Sequence, residues 1–326
     1  MHAQNYTATE SLHDGLQTVS LADAERQTRV SVLVSIGNNA YEMSVNGVNL
    51  FWSPLGSITE QKAKPSMLGN PFLAPWANRL DREGYSWNGR AVALQSTFAN
   101  YRKDANGLPI HGLLVYSPYW QLIEAKAGAK SAWCTSRLEF WRHADLMAQF
   151  PWAHTIEMTY RLSNGELSVE TVLRNHTHEA MPVSIGYHPY FRVTDAPRDE
   201  WTVTLPVTDQ VVLSEKLVPT GERRPSPHQG EVKLKGVTLD DVFTGLTGQR
   251  EFVLRGARQT VTVTYGPKYP VAVVFAPPGR DFVCFEPMAG ITNAINLYAA
   301  GKYPELQSIP AGGEWRETFT IKASGF

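Results

Sequence analysis

The sequence predicts an all-β protein, a large antiparallel β-sandwich, and three observations carry the prediction. Asn-Gly pairs stand between alternating apolar runs at Asn46-Gly47, Asn88-Gly89 and Asn164-Gly165. Both residues accept the positive φ of a type I′ turn, which makes this dipeptide the strongest short-range hairpin signal. Elsewhere apolar residues recur at every second position, the period of a strand with one buried face. Helical periodicity is scarce, and no alternation of strands with long helices points to a parallel α/β sheet.

Taken along the chain, RVSVLVSI (29–36) is the first strand, and AYEMSV and VNLFW flank the Asn46-Gly47 turn. Segment 57–68 (SITEQKAKPSML) has room for a short helical turn that Pro65 limits. GYSW and RAVAL flank Asn88-Gly89, and IEMTYRLS and ELSVETVL flank Asn164-Gly165. In that third hairpin Ile156, Met158, Tyr160 and Leu162 share one face, and Leu167, Val169, Thr171 and Leu173 keep the period after the turn. Further strands are MPVSIGYH (181–188), WTVTLPV (201–207), QTVTVTY (259–265), VAVVF (271–275), 282–286 and ETFTIK (317–322). No repeat, low-complexity linker or shift in composition divides the chain, so residues 1–326 are expected to form one domain.

Composition narrows the function classes. A net charge of −1 and the absence of a basic run make nucleic acid an unexpected partner. No apolar run reaches membrane-spanning length. The stretch MHAQNYTATESLHDGL has no apolar core of a secretory signal, and the two cysteines, Cys134 and Cys284, have no metal-like spacing. A cytoplasmic, reducing location is therefore expected, with Cys284 acting as a small buried hydrophobe. Oligomeric state is not legible. Nine Trp, thirteen Tyr and thirteen Phe suit both sheet faces and sugar-binding clefts.

Several polar residues sit awkwardly in this pattern. In FVCFEPMAGITNAINL (282–297), Phe282, Cys284 and Glu286 share a face at the expected end of a strand. Desolvation there raises a carboxyl pKa, and Gly290, Asn293 and Asn296 follow in a turn. In MPVSIGYHPYF (181–191), His188 shares its face with Ser184 and Gly186, and a strand glycine marks close approach of a ligand or another backbone. Arg79 follows Pro75-Trp76, His111 follows an Asn-Gly turn, and Asp240 and Asp241 form an acidic pair in an expected loop. Taken singly, Arg79 reads as a surface arginine on Trp76, His111 as structural and the acids as solvated. His176 and His178 mimic a metal pair, but their spacing puts them on the face of a turn rich in polar residues, so no metal is expected. Phosphate-binding loops, dinucleotide fingerprints and GxSxG elbows are absent.

The ordered series APWANRL (74–80), LPIHG (108–112), FPWAHTIEMTYRL (150–162), IGYHPYF (185–191), LDDVF (239–243) and FEPMAGITNAIN (285–296) resembles the aldose 1-epimerase (mutarotase) family. The resemblance runs from about residue 30 to the C-terminus. It implies a galactose-mutarotase-like supersandwich and interconversion of the α and β anomers of a sugar, without a cofactor. By motif, Glu286 would be the general base and His188 the general acid, staying protonated beside it. Arg79, His111 and Asp240 would orient sugar oxygens, Asp240 being chosen over Asp241 because it stands three residues before Phe243. IGYHPYF departs from the Asn-His/Thr-Tyr-Phe-Asn-Leu run of dedicated galactose mutarotases, and Met288 follows Glu286-Pro287. The sugar is thus open. A hexose-6-phosphate epimerase would use Arg82, Arg102 and Lys103 as added cations. A non-catalytic carbohydrate-binding β-sandwich is the reading from another class.

Overall fold

A computed structural model describes residues 5–326. Residues 1–4, part of the N-terminal stretch read above, lie outside the described residues. Strands dominate at 49%, and helix accounts for only 7%, in line with the scarce helical periodicity. Among the described residues every ladder is antiparallel, and parallel pairing is confined to the single bridges Ala74↔Gly112 and Trp76↔Ser184.

Three sheets make up the body. Tyr6–His13, Leu16–Asp23, Thr28–Leu33, Asn39–Val45 and Val48–Asn49 form a five-stranded meander in chain order. Its first two strands were not foreseen, although Asp14-Gly15 between them is another type I′ signal; φ is 51° at Asp14 and 73° at Gly15. The three Asn-Gly pairs turn as expected, with φ of 48–51° at the asparagines and 73–79° at the glycines. A nine-stranded sheet runs in the order Gln121–Ala127, Ala132–Glu139, His154–Ser163, Glu166–Asn175, Glu314–Ser324, Thr260–Tyr265, Glu251–Arg255, Thr202–Leu205, Gly230–Lys233. The third sheet runs Pro219–Pro225, Asp209–Leu213, Leu239–Thr244, Val271–Ala276, Val283–Met288, Gly186–Tyr187, Phe72–Leu73, with Tyr190–Phe191 also paired to Val283–Met288.

The two larger sheets meet face to face. Phe285 of the third sheet lies 5.7 Å from Phe252 of the nine-stranded sheet, ring to ring, and Tyr187 lies 4.8 Å from Phe319. The buried Tyr187 hydroxyl is satisfied across the same gap by the Thr171 hydroxyl at 2.5 Å. Strand pleating then sorts the third sheet's residues by parity. Val274, Phe285 and Val283 face the core, each fully buried. On the opposite face, register sets Asp240 beside Phe275, and Phe275 beside Cys284, which in turn pairs with Tyr190. The next row on that face holds Val242, Val273 and Glu286.

Two local expectations are corrected here. Glu286 does not end its strand, which continues through Pro287 to Met288. Asp240 and Asp241 lie within Leu239–Thr244 and not in a loop, so pleating sends them to opposite faces. The segment around Pro65 holds a single 3₁₀ turn, Ile58–Lys62, closed by a reciprocal capping box between Ser57 and Glu60.

Candidate active site

The outward face of the third sheet is the floor of a cleft, and two loops build its wall. One loop carries Asn78 and Arg79, the other His111. They are stitched together by backbone: Leu80 N–H donates to Pro109 O at 2.9 Å, and His111 N–H donates to Asn78 O at 2.9 Å. Asn78 and His111 both take the left-handed conformation, with φ of 54° and 65°. Asn tolerates it more readily than His, so His111 is held there by its surroundings. His188 leaves the sheet just before Pro189, and its N–H is bound to Pro71 O at 3.0 Å.

All five residues expected from the sequence, Arg79, His111, His188, Asp240 and Glu286, line this one cavity of about 350 Å³. Its size falls within the range of small-ligand pockets. Met67, Tyr190, Val273 and Phe275 supply apolar surface around them.

Glu286 and His188 are in direct contact, Oε1 to Nε2, at 3.2 Å. Glu286 is 1% exposed and His188 6%. The second atom of each, Glu286 Oε2 and His188 Nδ1, is buried without a protein hydrogen-bond partner, as is His111 Nδ1. Unpaired buried polar atoms are costly, and three in one cleft are what a polyhydroxylated ligand would satisfy. The His188 ring stacks on Tyr190 at 4.6 Å, and His111 meets it edge-on at 5.3 Å.

The electrostatics of the pair are set by burial. Desolvation, reinforced by the nearby Asp240, raises the Glu286 carboxyl well above its usual range, with Arg79 opposing. Desolvation pushes His188 down to about 3, and the positive Arg102 and Arg79 act in the same direction. Burial thus favours the uncharged form of each group, against the expectation that His188 stays protonated. Burial, then the neighbouring His188, also holds His111 well below the ordinary histidine value, leaving it neutral. Asp240 is raised by burial, with Arg79 pulling the other way and Asp241 adding to the rise.

Arg79 is positioned by a residue the sequence reading missed. Its Nε donates to Asp104 Oδ2 at 2.6 Å, in a pair whose side chains are only 16% and 7% exposed. Asp104 Oδ1 in turn accepts the backbone N–H groups of Asn106 and Leu108, each at 2.9 Å. Burial works against ionisation of Asp104, but Arg79 and these N–H groups together hold its pKa below the usual range. The pattern Asp-x-Asn-Gly (104–107), a side-chain-closed turn, was the available signal.

The remaining sequence candidates separate cleanly. Asp241 points away from the cleft and accepts from Gln210 Nε2 at 2.5 Å. Arg82 lies outside the cavity, bound to Asn296 Oδ1 at 2.8 Å, whereas Arg102 and Lys103 line it. Lys103 is paired with Glu83 and Arg102 with the Tyr116 hydroxyl. His176 is bound to Thr155 on the nine-stranded sheet, away from the cleft. The glycine at 186 does mark a close approach, though by a side chain: a Cβ there would meet Met288 Sδ at 2.1 Å. Among the described residues His188, Cys284 and Glu286 present one possible metal-donor atom each within 4.8 Å of one another. An ion there would occupy the lone pairs of the contacting pair.

The model of the aldose 1-epimerase family matches residues 50–322 of the chain. Among solved structures, a galactose mutarotase-like protein from Clostridium acetobutylicum superposes with a TM-score of 0.87 at 17% identity, covering 99% of both chains. The galactose 1-epimerase of Lactobacillus acidophilus gives 0.77 at 13% identity, again over 99% of both. A GalM/aldose epimerase homologue from C. elegans gives 0.73 at 15%, covering 98% of this chain and 99% of its own. At these identities the superpositions speak to the galactose-mutarotase-like fold.

Proposed function

Since the chain belongs to the aldose 1-epimerase family, we propose that it interconverts the α and β anomers of a hexose through Glu286 and His188. The observation that carries this reading is the 3.2 Å contact between two buried groups whose pKa values burial shifts in opposite directions. Pairs of this kind mark acid–base assignments.

The reaction starts from the form with Glu286 ionised and His188 protonated. That form is reached from the neutral pair by moving one proton across the contact once sugar hydroxyls surround it. Glu286 takes the proton of the C1 hydroxyl while His188 gives its proton to the ring oxygen. The C1–O5 bond breaks, C1 becomes an aldehyde, and the pair is left neutral. After rotation about C1–C2, O5 attacks the other face of C1, His188 takes back the O5 proton, and Glu286 returns its own to O1. Atoms and protons balance, and the first half-reaction runs in the direction burial favours, from charged pair to neutral pair. Arg79, His111 and Asp240 orient the other oxygens. The Arg79 guanidinium offers its terminal N–H groups because Asp104 occupies Nε.

A phosphorylated hexose is the second reading, favoured by Arg102 and Lys103 at the cleft. Both cations already have partners, so an unsubstituted sugar is preferred. Polarimetry on freshly dissolved α-glucose and α-galactose, with exchange NMR on glucose 6-phosphate, tests the proposal. Acceleration confined to the phosphate ester moves the assignment to the second reading. Saturable sugar binding without acceleration makes the protein a carbohydrate-binding module.

A further inference from the structure

Beside the cleft lies a second cavity, of about 250 Å³, that anomerisation of a single ring does not use. Arg102 lines both spaces, and the chain that places His111 in the cleft continues directly into the second cavity at Gly112. The lining combines aromatic faces with hydrogen-bonding groups. Tyr119 is fixed by stacking on His143 at 3.7 Å. Tyr116 lies under the Arg102 guanidinium at 5.2 Å, and its hydroxyl accepts from Arg102 Nη1 at 3.3 Å. Asp145 Oδ2 accepts from Asn100 Nδ2 at 3.1 Å and from the Tyr119 hydroxyl at 3.3 Å, which orients the carboxylate. At the rim Phe98 is 43% exposed, a large apolar side chain among the exposed residues of its 3₁₀ turn, Ser96–Phe98.

We propose that this cavity is a subsite for the second ring of a reducing disaccharide whose reducing end occupies the cleft. Pyranose rings have apolar faces that lie on aromatic side chains and a rim of hydroxyls that suits carboxylate, amide and guanidinium partners. An anionic substituent is disfavoured because it would meet Asp145. The shared Arg102 side chain stands where the glycosidic link passes from one cavity to the other. This inference rests on the epimerase reading, and the experiment separates the two.

The test measures polarimetric kcat/KM on glucose and galactose and on reducing disaccharides of each, linked through O3, O4 or O6. Calorimetric binding of the same sugars runs in parallel. At least one disaccharide should exceed its own monosaccharide about tenfold, through KM. Phe98→Ala and Asp145→Asn should each lose most of that advantage while monosaccharide turnover stays unchanged. Parity between disaccharides and monosaccharides in the wild type overturns the subsite. Equal losses on both substrate classes in the two variants overturn it as well. Tighter binding of a disaccharide without turnover of any sugar upholds the subsite and defeats the epimerase reading instead.

Discussion

Replacing Glu286 by Gln should slow anomerisation while making the fold more stable at neutral pH. Gln keeps the size and one acceptor but removes the proton-accepting carboxylate, and positioned acid–base groups contribute about 10² to 10⁴ in rate. A loss of at least about a hundredfold in kcat is expected, with sugar binding retained. The stability effect follows from burial: the carboxyl is 1% exposed and its pKa is raised. Below the unfolded value both folded and unfolded chains hold the proton, and there is no penalty. As pH rises past it, the unfolded chain releases its proton while the folded chain keeps it. Stability then falls by about 1.4 kcal/mol per pH unit until the folded pKa is reached. The amide does not titrate, so the gap between Gln variant and wild type should open above the ordinary carboxyl pKa and close at about pH 4. For a chain of this length each kcal/mol moves Tm by on the order of one to three degrees. Polarimetric kcat at neutral pH and calorimetric Tm at pH 4, 6 and 8 read both effects. Near wild-type turnover would reject Glu286 as the base. A Tm difference that does not change with pH would reject the burial argument.

Three further outcomes are expected. Asp104→Asn leaves the Nε of Arg79 a neutral acceptor and lets the guanidinium wander. Losing one charge-assisted bond should raise the KM for sugar about tenfold with little change in kcat, and an unchanged KM would remove Asp104 as a positioning residue. Gly186→Ala places a methyl against Met288 and should cost about 1–3 kcal/mol in urea unfolding. Met288→Ala in the same chain should restore part of that, and no recovery would point instead to Pro287 O and Ala77 Cβ, at 3.0 and 3.1 Å. His154, buried with Nδ1 against Trp152 O, is held down to about 4 by desolvation. Its contribution is present above the unfolded pKa of 6.5 and is lost as pH falls from there toward 4. His154→Gln should therefore lose less of its urea midpoint between pH 7.5 and 4.5 than wild type, and parallel losses would assign acid sensitivity elsewhere.

What could be read from the sequence was whatever has a period or a local signature. Asn-Gly turns fix their own φ, so the three hairpins were legible, and Asp14-Gly15 carried the same signal unread. Parity placed Cys284 and Glu286 on one face and Val283 and Phe285 on the other, as the register bears out. Strand ends were less legible, because Pro287 is tolerated inside a strand pair here and Asp240-Asp241 has no apolar alternation of its own. The lowering of the His188 pKa was not legible. It depends on how completely the cleft buries His188, and that is a property of loops far away in the chain.

The same distance explains why the five cleft residues needed either a family resemblance or coordinates to be joined. Alternation tells which face a residue takes, and it is silent on which loops cross that face. Backbone hydrogen bonds make the crossing. After Glu286 the chain turns through Gly290 and Asn293 into a short helix, Ala294–Ala299. Asn293 N–H donates to Arg79 O at 3.0 Å, and Asn293 Oδ1 accepts the Asp81 N–H at 3.2 Å. Asn296 Nδ2 then donates to Asp81 Oδ1 at 2.8 Å and to Gly84 O at 3.1 Å. Both asparagines are almost wholly buried, so these bonds satisfy groups that would otherwise be stranded. The run of residues that carries the carboxyl at 286 thereby grips the loop that carries the guanidinium at 79. That loop in turn holds the histidine at 111 through paired backbone bonds. Placement of the sugar-orienting groups relative to the acid–base pair is thus a matter of main-chain geometry, which side-chain periodicity does not report.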